Sequence, residues 1–277
     1  MRKPRRPAKN SAVVRNKRAS NQLPAELHLI PVSLSGEIKP GDSLVTKLLQ
    51  ALRSNNLTLE SGDILVVKHK IVSKSEGRLV DLATIKPSAS SITWAKKYNL
   101  DARLIELAMR ESRAVIRQKN GVLITETRHG FICANSGVDV SNVDGGRHAL
   151  LLPANPDRSA RKLYREIRQR TALVIPVLIT DTFGRPWREG LVDFCIGIAG
   201  MKSLRDDRGR RDPHGYRLQA SLEAVADELA CAAGLVCGKL NRTPACIIRG
   251  FPYQPANGHG RGRARDLLRP AANDLFR

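Results

Sequence analysis

Four short apolar runs restrict this chain's fold more than any other feature. They are Ile64-Leu65-Val66-Val67 and residues 172–180, 194–199 and 245–248, each stopped by polar or turn-forming residues. Runs of this length, bounded in this way, read as buried strands. Between them, Leu44, Leu48, Leu49 and Leu52 recur at helical spacing. The longest apolar stretch, around residues 173–179, falls far short of the roughly 20 residues that a spanning helix needs. No short apolar run follows the basic start, so the sequence predicts neither a membrane span nor a secretory signal.

The remaining segments fill in the pattern. A strand is expected over 27–32. A turn at Lys39-Pro40-Gly41-Asp42 follows, with Asp42 capping the next helix. A second strand is expected near Ile71 and Val72. Helices are expected over 87–98 and 101–116, and strands over 122–125 and 130–133 on either side of a charged turn. A basic surface helix is expected over 157–170 and a long helix over 219–237. The mixed-charge segment 205–212 reads as an exposed loop that orders on substrate binding. Strands and helices alternate irregularly, which favours an α+β (mixed α/β) fold over a regular doubly wound sheet. A chain of 277 residues suits one large domain, set here at 26–277, behind a disordered basic tail at 1–25.

The net charge is +21, and eight of those positive charges sit in residues 1–25, before the first acid, Glu26. The rest of the chain still carries +13, which favours anionic partners such as nucleotides, phosphates or nucleic acid. A basic nucleic-acid-binding protein without catalysis is the alternative reading. With 4% aromatic residues, however, stacking platforms are scarce. The five cysteines form no CxxC pair and lie among apolar residues, as expected of buried free thiols in a reducing cytoplasm.

Three segments combine Gly, Asn, Asp and hydroxyl residues and read as loops that could carry chemistry. In residues 134–143, Asp139 stands with no Lys or Arg after it until Arg147, a carboxylate placed for a cation. In residues 179–188, Asp181 and Thr182 end an apolar strand ahead of Arg185 and Arg188. Hard oxygen donors at a strand end suit a divalent ion, and two guanidinium groups suit a phosphate or carboxylate. In residues 236–244, Lys239 is placed to reach a phosphate from a loop. The spacing fails a Walker motif, and no Ser or Thr follows the lysine. Lys68, Lys70 and Lys74 read either as solvated charge or as phosphate-facing ammonium groups. No histidine spacing suits zinc.

Several blocks in order resemble one family, the coenzyme F420:L-glutamate ligases or γ-glutamyl ligases. They are KPGDSL at 39–44, SGDILVVKHKIVSKSEGRLVDL at 61–82, ANSGVDVSN at 134–142, ITDTFGRPWR at 179–188, AVADELACAAGLVCGK at 224–239 and LLRPAANDLFR at 267–277. The resemblance implies a cytoplasmic, stand-alone enzyme with the family's own α+β fold, built as an intertwined homodimer. It also implies the reaction. GTP activates the carboxylate of the deazaflavin precursor F420-0 as an acyl phosphate, the amine of L-glutamate attacks it, and later cycles add γ-linked glutamates. Mg2+ or Mn2+ would assist, with K+ as a further candidate ion. By that resemblance Asp139 and Asp181 hold a metal and Thr182 touches a second one. Asp139, Asp181 and Lys74 act on the transferring phosphoryl group. GTP is lined by Ser35, Gly36, Glu37 and Ile38, by His69, Lys70, Lys74 and Asn142, and by Cys237, Gly238, Lys239, Leu240, Asn241, Arg242, Thr243 and Pro244. Archaeal members tend to carry an acid or amide where Lys239 stands, so this chain places a cation where they place a metal ligand. His129, Arg185 and Arg188 are candidates for holding glutamate.

Overall fold

The computed structural model describes residues 26–141, 143–256 and 262–276, so the tail at 1–25 and Asn142 lie outside the described residues. Along the chain, β1 (His28–Val32) leads to α1 (Leu44–Ser54), β2 (Ile64–Lys68), α2 (His69–Ser75) and β3 (Leu79–Asp81). Helices α3 (Ala89–Tyr98) and α4 (Ala102–Glu111) precede β4 (Ser112–Lys119), β5 (Val122–Thr127), β6 (Ile132–Ala134) and β7 (His148–Leu150). Next come α5 (Pro156–Thr171), β8 (Val177–Arg185), β9 (Arg188–Ala199), β10 (Arg205–Asp206) and β11 (Leu222–Glu223). Helix α6 (Val225–Cys237) and β12 (Ala245–Arg249) complete the set. The fold is mixed α+β, and among the described residues no helix is long and apolar enough to cross a membrane.

Five strands form the main sheet in the order β1-β12-β2-β8-β9. Only β2 and β8 run parallel, with Lys68 beside Thr180. A parallel pair needs a crossover, and here everything from α2 to α5 lies inside it. Because β12 and β9 run antiparallel to this pair, their nearby ends meet the same edge. Ala245 pairs with Val67, and Asp193 with Thr182. Val32 of β1 pairs with Ala245 and brings the 33–38 turn there as well. Strand direction thus gathers segments far apart in sequence at one end of the sheet.

The expected strands at 64–67, 194–199 and 245–248 are buried, with Ile64, Val67, Ile198, Ile247 and Ile248 each at 0% exposure. Each such side chain contributes about 1.5–3 kcal/mol by leaving water. Elsewhere the local pattern misleads. Ile71 and Val72 lie in helix α2, since two apolar residues fit a buried helix face as well as a strand. The helix expected over 101–116 stops at Glu111, because residues 112–119 pair with β5. The helix expected from 219 begins at Val225, and the strand expected over 172–180 begins at Val177, because α5 runs on to Thr171 and Ala172 caps it. Residues 179–188, read as a loop, continue β8 into a hairpin with β9, and residues 205–212 contain strand β10. Ser43, not Asp42, caps α1: its Oγ accepts from the Thr46 amide at 3.4 Å. Asp42 closes the preceding turn by accepting from the Lys39 amide at 2.9 Å.

At the opposite end of the sheet, Arg249 binds Asp63, which is 0% exposed, through Nε at 2.8 Å and Nη2 at 2.9 Å. This fork ties β12 to the entry of β2. Helix α5 crosses β9 at Gly197, where a Cβ would lie 2.5 Å from the Pro156 carbonyl carbon and oxygen. Backbone atoms cannot move aside cheaply. Gly197→Ala is therefore expected to destabilise the fold by about 1–3 kcal/mol, the usual cost of overpacking. Urea titration reads this directly, and an unchanged midpoint contradicts the packing argument.

Candidate active site

The gathered strand ends border a cleft of about 660 Å³. Asp181 and Thr182 reach it from β8, Lys68 from the end of β2, and His69, Lys70 and Lys74 from α2. Asp139 reaches it from the segment after β6, where its backbone exchanges hydrogen bonds with Leu150 of β7 at 3.1 and 2.8 Å. The two acids read from separate parts of the sequence thus share one cavity.

Each acid already has a nitrogen partner beside it. Asp181 Oδ1 lies 3.1 Å from His69 Nε2, and the other ring nitrogen of His69 lies 3.4 Å from Ser73 Oγ. Asp139 Oδ2 lies 2.7 Å from Lys70 Nζ, and Asp139 Oδ1 accepts from the Ser141 amide at 2.6 Å. Burial pushes the Asp139 carboxyl up, but the Lys70 ammonium and the Ser141 donors outweigh it and hold the group below the usual carboxylate range. Lys74 reaches Glu37 at 3.4 Å. Lys239 and Arg242 also border the cleft, giving it five Lys and Arg side chains with carboxylates interleaved.

Most residues expected around GTP meet here. Gly36, Glu37 and Ile38 line the cleft, as do His69, Lys70, Lys74, Gly238, Lys239, Leu240, Arg242, Thr243 and Pro244. Ser35, Cys237 and Asn241 are not on its wall. The candidates for glutamate are not there either. Arg185 and Arg188 pair across the tip of the β8–β9 hairpin, and His129 lies in a separate cleft of about 410 Å³ with Arg78, Glu111, Arg128 and Arg265.

Asp139, Asp181 and Thr182 offer hard oxygen donors, the chemistry that Mg2+ or Mn2+ takes. Thr180 Oγ1, buried on the same wall, has no hydrogen-bond partner in the described protein. Among the described residues no group of three or more His, Cys, Asp or Glu residues is placed to hold a metal ion by itself, so an ion here would need further oxygens from a ligand. Such an open, oxygen-lined arrangement fits an ion completed by phosphate oxygens, as Mg2+ sites commonly are. Reading the sequence missed Asp193. It is a lone acid in the apolar run 191–199, and that interruption was its available signal.

The cysteines are not poised for chemistry. Burial pushes the Cys133 and Cys246 thiols up to about 12 and that of Cys237 to about 11. Burial also raises Cys195 well above its ordinary value, and Cys231 as well. A thiol at about 12 is only on the order of 10⁻⁴ thiolate at pH 8. Native protein is therefore expected to react with a colorimetric disulfide reagent at least about 100-fold more slowly than free cysteine at the four buried positions. Unfolded protein should release all five thiols. Fast native labelling at Cys237 would count against a purely structural thiol.

Residues 34–250 match the family model described as F420-0:Gamma-glutamyl ligase. The chain is 42% identical over 254 residues to the coenzyme F420:L-glutamate ligase of Methanothermobacter thermautotrophicus, covering 91% of this chain and 99% of that protein. To the ligase of the same name from Methanopyrus kandleri it is 40% identical over 252 residues, 91% of this chain and 98% of that protein. To that from Methanocaldococcus jannaschii it is 41% identical over 220 residues, 79% and 86% of the two chains.

Proposed function

The chain belongs to the F420-0:gamma-glutamyl ligase family, and from that premise we propose that it ligates L-glutamate to the carboxylate of F420-0 at the expense of GTP. The observation that carries this reading is the convergence of Asp139, Asp181 and Thr182 with Lys70, Lys74, Lys239 and Arg242 on one cleft. A nucleoside triphosphate is an anion with a planar base. The cations suit its phosphates, and Leu240, 90% exposed on the rim, suits the base.

The carboxylate oxygen of the precursor attacks the terminal phosphorus of GTP, a P–O bond forms, and GDP leaves with the electron pair. The amine of glutamate then attacks the acyl carbon and phosphate departs. The amine proton is lost and the amide remains. Further rounds use the γ-carboxylate just added. Lys70, Lys74, Lys239 and Arg242 neutralise the phosphate oxygens and orient them. Asp139 and Asp181 would hold one divalent ion and Thr182 would touch a second, and ions bound there would neutralise charge on the transferring phosphoryl group. Lys239 acts as a point charge on phosphate rather than as a metal ligand, since an ammonium has no lone pair.

The test is incubation with GTP, Mn2+ or Mg2+, L-glutamate and the precursor, followed by mass spectrometry. A product heavier by one glutamyl unit, formed only with GTP, supports the reading; its absence overturns it. A homodimer belongs to the same proposal. Trp187 and Leu275 are 79% and 81% exposed, and Trp187 stacks edge-on against Phe276, an apolar patch that suits a second copy. Light scattering should give twice 30.5 kDa.

A further inference from the structure

Asp193 stands opposite Thr182 in the β8–β9 ladder, but its carboxylate turns away from solvent, 4% exposed. One carboxylate oxygen accepts from Thr182 Oγ1 and the other from Lys68 Nζ. A hydroxyl carries one proton and two lone pairs. A carboxylate paired with an ammonium only accepts, so the Thr182 proton is committed to Asp193. What Thr182 presents to the cleft is an acceptor-only oxygen. Such an oxygen attracts a cation or an N–H and repels a phosphate oxygen.

A second observation points to the same group. Gly234 sits inside α6, where glycine costs roughly 1 kcal/mol in helix propensity. A Cβ there would fall inside contact distance of Asp193 Oδ2. Helix α6 therefore lacks a side chain at the one place where the carboxylate needs room. The Cys231 thiol, one turn earlier, donates to the Asp193 carbonyl at 3.1 Å and pins the strand.

We infer that Asp193 is a positioning residue: held by Lys68 and admitted by Gly234, it fixes the Thr182 hydroxyl as a ligand oxygen for the second divalent ion of the cleft. This rests on the ion assignment proposed above. Partners that orient a metal ligand typically change metal affinity by about 10- to 100-fold when removed. Asp193 itself touches neither ion nor substrate.

The full chain is titrated with Mn2+ in saturating guanosine nucleotide, and the loss of the free-ion electron paramagnetic resonance signal is followed, with nucleotide alone as the blank. Asp193→Asn and Gly234→Ala are each expected to weaken Mn2+ binding about 10- to 100-fold. Thr182→Val should do the same, and Thr182→Ser should bind as wild type. Lys68→Met with Asp193→Leu replaces the pair by apolar groups. It should recover the thermal midpoint lost in Asp193→Asn but not the Mn2+ affinity. Wild-type affinity in Asp193→Asn, or full recovery of affinity in the apolar double variant, reduces Asp193 to a packing role and overturns the inference alone. If wild-type protein itself binds no Mn2+, the ion assignment falls, and this inference with it.

Discussion

Asp139→Ala and Asp181→Ala are each expected to remove glutamyl transfer, by at least about 10²- to 10³-fold in turnover. That is the scale on which losing one charge-stabilising group slows phosphoryl or acyl transfer. The two losses should be distinguishable in the rest of the molecule. Removing Asp139 releases the Ser141 amide and leaves Lys70 bonded only to the Ser141 carbonyl and hydroxyl, at 2.9 and 2.7 Å. Removing Asp181 leaves His69 facing only Ser73. Neither acid belongs to the apolar core, so urea midpoints should move little while the mass-shifted product disappears. Asp181→Asn is the sharper variant, because it keeps the size and the contact to His69 but loses the negative charge. Full activity in both alanine variants would remove the ion from the reaction.

Arg249→Met is expected to destabilise the fold by about 3–5 kcal/mol, the cost of breaking a buried ion pair from one side. Asp63 has 0% exposure and would keep only the Glu60 amide, at 2.8 Å, as a donor. Its charge cannot reach water without unpicking β2. The companion variant, Arg249→Met with Asp63→Leu, should recover most of the loss, because an apolar pair leaves no orphaned charge. Denaturant titration measures both. Equal midpoints for wild type and Arg249→Met would show that the fork contributes nothing net. The pair lies away from the cleft, yet it fixes the β2–β12 register that brings residues 238–244 to the site.

Some of the site was legible early because its residues interrupt apolar runs or stand among turn formers. Asp181 and Thr182 follow Ile179 and Thr180 at the end of an apolar stretch, and Asp139 lies in a Gly- and Asn-rich segment. Asp193 was not legible, because the expected strand began one residue later, at Phe194, and left the acid outside the pattern. Lys68 was ambiguous between solvated charge and site for a related reason. Only a partner from another strand, Asp193, separates the two. Ile71 and Val72 misled because two apolar residues hold no period.

The chain's own order of residues determined the buried strands, helices α1 and α5, the charge surplus and the family blocks, all of which depend on neighbours within a few positions. Only the folded molecule decided that β2 lies parallel to β8, that β9 and β12 return beside them, and hence that Asp139, Asp181, Thr182 and the lysines face one cavity. Strand pairing joins residues over a hundred positions apart, and what selects it is the burial that a whole sheet achieves at once. No local pattern carries that information.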